Sequence, residues 1–142
     1  VDDFNNIYIE KRGIKIELIA NNSKKDFKIL GIENRIEQIL ANLLDNAISF
    51  SKDKQKIIVE IEKNQNDQVI LRVIDQGQGF KEKKLTKIFD RFYSNRPDKF
   101  GEHSGLGLNI VKNLVELHNG IIDASNNIDQ GGARIEIVFP KV

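Results

Sequence analysis

RIEQILANLLDNAISFS, residues Arg35 to Ser51, carries apolar side chains at Ile36, Ile39, Leu40, Leu43, Leu44, Ala47 and Ile48. Their i, i+3, i+4, i+7 spacing predicts one amphipathic helix with a single buried stripe. Asn42 and Asn46 stand one turn apart on it. At about 100° per residue they lie roughly 40° from each other, on the flank of the stripe rather than opposite it. Carboxamides at the edge of a core face are costly to bury unless their donors and acceptors are engaged. Each amide oxygen can meet a hard cation, and each NH2 a phosphate oxygen. Two solvated polar positions at the rim of an ordinary helix are the equally open reading at this point.

The bulk of the sequence narrows the classes. Its 142 residues fit one domain with a sizeable core. Net charge is +1, from 22 basic and 21 acidic residues, with no basic stripe of the kind that binds nucleic acid. Cys is absent, which excludes a disulfide framework and thiolate zinc sites, and two His residues are too few for a histidine-rich metal site. No apolar run approaches the ~18 residues that a membrane span needs, and no signal peptide opens the chain. Met is missing even at position 1, so the chain is expected to be an excised piece of a longer protein.

On either side of the long helix the pattern changes period. Ile14, Ile16 and Leu18 alternate with Lys15 and Glu17, and Phe27 to Leu30 reads as a second short strand. Ile57, Val59 and Ile61 alternate with Glu60 and Glu62, a turn falls at residues 64–67, and Val69, Leu71 and Val73 resume the alternation, which makes a hairpin. A short helical turn is expected near Thr86 to Phe92 within an otherwise loosely patterned segment, the kind that commonly serves as a functional lid. Ile110, Val111, Leu114 and His118 mark the inner face of a second amphipathic helix, which Gly120 is expected to stop. Ile121 to Ala124 and Ala133 to Phe139 close the chain as two strands, joined through a turn containing Gly131 and Gly132 that we read as structural. The expected fold is α+β: one mixed sheet with helices on one face.

Two glycine-bearing stretches could carry chemistry. In Asp75-Gln-Gly77-Gln-Gly79 a carboxylate ends a buried strand and glycines turn the backbone tightly. Such a carboxylate can accept a hydrogen bond from an exocyclic amine such as that of adenine, and it meets a guanine carbonyl unfavourably. A plain strand-to-loop turn is the alternative, since Asp and Gly are common turn residues. His103-Ser104-Gly105-Leu106-Gly107-Leu108 puts small residues just before a helix start, where backbone N–H groups suit phosphate oxygens. Its spacing is neither that of a P-loop nor that of a dinucleotide fingerprint.

Taken in order, Asn42-x-x-x-Asn46-Ala47, Asp75-x-Gly77-x-Gly79, Phe89-x-x-Phe92 and Gly105-Leu106-Gly107-Leu108 resemble the catalytic, ATP-binding domain of two-component sensor histidine kinases. These would be its N box, first glycine box, F box and second glycine box, and the resemblance runs from about Gly13 to Phe139. It implies the Bergerat two-layer sandwich shared with gyrase, mismatch-repair and chaperone ATPases. It further implies that Asn46 ligates Mg2+, that Asn42 assists at the phosphates or the ion, and that Asp75 reads the adenine amine. Gly77 and Gly79 would let the base approach. Phe89 and Phe92 would anchor the lid, while Ser104 and Gly105 to Leu108 would shape its hinge and the triphosphate site. Residues 1–12 would end a linker or helix from a preceding dimerisation domain, and residues 13–142 would be the catalytic domain.

Three departures stand out. Ser49 occupies a position where the family often has Lys, Phe50 one where Tyr is frequent, and Ser94 one where Arg is frequent. Lys52, Arg91, Arg96 or Lys99 could supply the missing phosphate-facing charge, with Arg96 the first choice. His103 stands where Gly is common and is read as a surface residue, and His118 is read as structural. Hydrolysing members of the superfamily carry a Glu general base where this chain has Asn42; a carboxamide cannot take that proton. The resemblance therefore implies γ-phosphoryl transfer to a histidine on separate dimerisation helices, and from there to the receiver domain of a response regulator. No phosphoacceptor histidine lies on this chain. ATP and Mg2+ are the expected cofactors, and a cytoplasmic domain of an inner-membrane sensor, itself out of contact with the membrane, the expected setting. A serine kinase of the anti-sigma-factor type and a non-catalytic nucleotide- or partner-binding module are the rival readings.

Overall fold

Period-two alternation on both sides of residues 64–67 gives the hairpin at the centre of the sheet. The computed structural model describes residues 13–20, 33–80, 88–89, 107–126 and 131–141. Strands β2 (Lys56–Lys63) and β3 (Val69–Ile74) pair antiparallel, with Val59 opposite Val73 and Ile61 opposite Leu71. Asn64 builds the turn: its side-chain oxygen accepts the N–H groups of Asn66 at 2.9 Å and Gln68 at 3.0 Å. Asp67 takes the left-handed conformation that Asp tolerates in turns (φ 60°). Strand β1 (Lys15–Ala20) joins parallel to β2, setting Ile16 beside Ile57. The remaining strands are β4 (Ile121–Asn126) and β5 (Ala133–Phe139), and the sheet order is β1-β2-β3-β5-β4. Residues 27–30, expected as a further strand, lie outside the described residues, as do residues 1–12.

Helix α1 (Glu33–Phe50) lays Ile39, Leu43, Leu44, Ala47 and Ile48 into the core, as the stripe predicts. Helix α2 (Gly107–Leu117) adds Leu108, Val111, Leu114 and Val115. Facing them are Val59, Val73, Ile135, Ile137 and Phe139 from the sheet, all buried. The result is the expected α+β layer pair, with the helices on one side of a mixed sheet.

The stop of α2 differs in one respect from the sequence reading. Asn119, not Gly120, adopts the left-handed conformation (φ 60°). Its N–H donates to the Glu116 carbonyl at 3.0 Å, and that of Gly120 to Val115 at 2.9 Å, the paired bonds of a Schellman cap. Gly120 is needed for space: a Cβ there would lie 3.0 Å from both Val115 Cγ1 and the Val138 carbonyl oxygen. His118 is structural as expected, buried with Nδ1 donating to the Leu114 carbonyl at 2.7 Å.

The other face of the sheet carries a charged cluster. Arg72 reaches Glu136 at 2.7 Å, Glu60 at 2.6 Å and Glu62 at 3.0 Å, binding β2, β3 and β5 together across the strands.

Candidate functional site

Asp75 follows directly on β3, where the inward-facing row of that strand ends. It is 3 % exposed. Its N–H donates to the Ala133 carbonyl at 2.9 Å, and its Oδ1 accepts the N–H groups of Gly77 at 2.9 Å and Ala133 at 3.1 Å. Burial pushes the carboxyl above the usual carboxylate range, against the opposing pull of those two donors. Oδ1 is thus occupied by backbone, and no donor among the described residues meets Oδ2. A buried acceptor with one oxygen fixed and the other uncommitted is suited to receive an amine.

The loop from Asp75 to Phe80 is fastened on several sides. Gln76 Oε1 accepts the Lys56 N–H at 2.8 Å. At Gly77 a Cβ would overlap the Phe50 carbonyl oxygen, so only glycine lets the end of α1 lie this close. Gly79 (φ +79°) sits tight against Asn126 Oδ1 and the Gly132 carbonyl. The Phe80 ring packs edge-on to Phe50, 5.9 Å between centroids at 75°. Gly132 (φ +91°) lies on the Asp75 backbone, where any Cβ would overlap the Asp75 carbonyl oxygen. The glycines of this loop therefore answer to protein neighbours, and the reading of Gly131-Gly132 as structural holds for Gly132.

Contact between Phe50 and this loop brings the end of α1 to the same place. Asn46 stands one turn before Phe50 and is 3 % exposed, while Asn42, a further turn back, is half-buried. Ser49 is buried, and its hydroxyl donates to the Asn46 carbonyl at 2.7 Å, a back-bond into the helix. Phe50 is likewise buried, its ring committed to Phe80.

At the start of α2 the situation is reversed. A Cβ at Gly107 would meet nothing within 4 Å among the described residues, so packing against those residues does not require glycine there. Leu108 belongs to the same buried core cluster as Ile88 and Phe89, and Asn109 Nδ2 donates to the Phe89 carbonyl at 3.0 Å. Phe92, Arg96, Ser104, Gly105 and Leu106 lie outside the described residues, together with Lys99, Arg91, Ser94 and His103. Of the turn expected at residues 86–92, only Ile88 and Phe89 are described, both buried.

Four contributors were missed in the sequence: the Ala133 N–H, Gln76, Asn109 and Asn126. Their bonds span 58, 20, 20 and 46 residues. No local pattern signals a partner at such separation.

Residues 31–142 match the family described as histidine kinase-, DNA gyrase B- and HSP90-like ATPase. The sensor protein ChvG of Agrobacterium fabrum is 35 % identical over 150 residues. That match covers 99 % of this chain, which spans about a quarter (25 %) of that protein's length. Among solved structures, the mycobacterial sensor histidine kinase MprB superposes with a TM-score of 0.80 at 26 % identity, covering 98 % of this chain and 90 % of that one. Full-length ShkA in complex with AMPPNP does so with a TM-score of 0.80 at 25 % identity, covering 97 % of this chain and 28 % of that one.

Proposed function

The chain belongs to the histidine kinase-, DNA gyrase B- and HSP90-like ATPase family, and on that premise we propose that it binds Mg-ATP and hands the γ-phosphoryl group to a histidine on a separate dimerisation domain of a two-component sensor kinase. The observation that carries the nucleotide reading is Asp75. A carboxylate buried this deeply, with Oδ1 held by two backbone donors, presents Oδ2 to the adenine amine at no cost in reorganisation. A guanine carbonyl there would leave two acceptors face to face, so adenine is selected.

Asn46 and Asn42 offer hard amide oxygens for Mg2+, which would neutralise charge on the phosphates when bound. Gly107, against whose Cβ position no described residue packs, and the N–H groups of the first turn of α2 suit phosphate oxygens. Ser104, Gly105 and Leu106 would continue that cradle, Phe89 and Phe92 would anchor the cover over the nucleotide, and Arg96 would supply cationic charge. Ser49 brings no charge, so the cation must come from elsewhere in the chain. With an amide at Asn42, water has no base to activate it. Phosphoryl transfer needs chiefly positioning and charge stabilisation, which leaves a protein acceptor as the productive route.

Residues 13–142 are taken as the catalytic domain and 1–12 as the end of a linker. The phosphoacceptor helices of the parent kinase and the receiver domain of a response regulator are its proposed partners. The domain is taken to work in the cytoplasm, and the parent to be anchored in the inner membrane. A second reading, a nucleotide-binding module without transfer activity, draws on the neutral, back-bonded Ser49. Mixing the domain with family-type dimerisation helices, Mg2+ and γ-labelled ATP decides between them. Acid-labile label on the helices is the expected outcome. Binding without transfer would favour the module, and acid-stable label the serine kinase.

A further inference from the structure

The side chain of Asn126, the last residue of β4, makes a two-point contact with backbone 46 residues away. Its Oδ1 accepts the Phe80 N–H at 2.7 Å, and its Nδ2 donates to the Phe80 carbonyl at 3.0 Å. One carboxamide thus satisfies both main-chain groups of one residue, a pairing that needs a donor and an acceptor in fixed relative geometry and that only an amide side chain supplies. Phe80 closes the loop that begins at Asp75. Its ring is the one that packs on Phe50 at the end of α1, and Gly79 before it is pressed against the same Asn126 oxygen.

We infer that Asn126 is a positioning residue for base recognition, holding the Asp75–Phe80 loop so that Asp75 Oδ2 faces the exocyclic amine of the bound purine. At its near end the loop is fixed through Ala133 to β5; at its far end Asn126 fixes it to β4. β4 and β5 are paired, with Asn126 opposite Ala133 in the register. Both ends of the loop are therefore anchored to a single rung of the sheet. Without the far anchor the loop pivots on Asp75, and the second carboxylate oxygen loses its fixed direction. This inference rests on the nucleotide reading given above.

The test compares ATP with purine riboside triphosphate, which lacks the 6-amine, in binding titrations on the 142-residue chain with Mg2+. The unaltered chain is expected to prefer ATP. Asn126→Ala should weaken ATP binding about tenfold and leave the amine-free analogue within about twofold, so that the preference collapses. Asn126→Asp keeps the acceptor for the Phe80 N–H but sets a carboxylate oxygen against the Phe80 carbonyl, and should behave like Asn126→Ala. A general loosening of the domain would weaken both nucleotides alike and would overturn the inference, as would an Asn126→Asp variant with the original preference. If the unaltered chain showed no preference for ATP, the adenine reading of Asp75 would itself be wrong, an outcome distinct from the other two.

Discussion

Arg72 and Asp75 are three residues apart at the end of one strand, and they illustrate two ways of keeping a charge in a protein. Arg72 lies on the face of the sheet opposite α1 and α2, where Glu60, Glu62 and Glu136 surround its guanidinium within 3.0 Å. Its charge is satisfied by side chains of neighbouring strands, and the cluster ties β2, β3 and β5 together. Asp75 is held instead by main-chain N–H groups, on one oxygen. The first arrangement consumes its own chemistry in holding the sheet; the second retains an acceptor for something else. A charged residue is thus a site candidate when its partners leave part of it uncommitted, and a structural element when they do not.

Substitutions can break this contrast from either side. The largest loss of stability is expected from Gly132→Ala, because the added Cβ overlaps the Asp75 carbonyl oxygen at a φ of +91°. Chemical denaturation should show a loss of about 3 kcal/mol, and ATP binding should fall with it, since the backbone that carries Asp75 must move. Arg72→Ala should cost less, about 2 kcal/mol, by leaving three carboxylates facing one another on a half-buried surface. Its ATP affinity should stay unchanged in the same titration; a loss there would mean that this face of the sheet reaches the site.

The pH dependence of stability gives a smaller effect with a definite sign. Burial raises the Asp75 carboxyl in the folded chain, so between the ordinary carboxylate range and that raised value the folded state binds more protons than the unfolded one. The contribution of Asp75 is therefore fully present below the ordinary carboxylate range and is lost as pH rises through the raised value. Denaturation midpoints across this window should fall more with pH for the native chain than for Asp75→Asn. Parallel profiles would show that the carboxyl is not held above its usual range.

How much of this could be read in the sequence follows from the reach of each interaction. Period and stripe are local, and β5 falls at Ala133–Phe139 as the alternation implies, while α1 starts at Glu33, two residues before the stretch Arg35 to Ser51. The order Asn46, Asp75, Gly107 is likewise visible along the chain. What escaped was tertiary. Gly120 looks like a helix stop, but its lack of a side chain serves the Val138 carbonyl of another strand, and Asn119 makes the left-handed turn. Gly77 looks like a glycine kept for a ligand, whereas the Phe50 carbonyl fills the space its side chain would need. Ser49 reads as a polar position on the flank of the stripe, yet it is buried with its hydroxyl turned back to the helix. Asn126 carries no signal at all, since an asparagine at a strand end is ordinary until Phe80 is seen beside it.

The most direct measurement is an ATP titration, with Mg2+, of Asp75→Asn alongside the unaltered chain and Arg72→Ala. Asparagine keeps an oxygen for the Gly77 and Ala133 N–H groups and turns an NH2 toward the ligand in place of Oδ2, so the loop should persist while its acceptor becomes a donor. ATP affinity should fall about a hundredfold or more for Asp75→Asn, at a thermal midpoint no lower than that of the unaltered chain, and should not fall for Arg72→Ala. An Asp75→Asn chain that binds ATP as tightly as the original would contradict the adenine reading of Asp75.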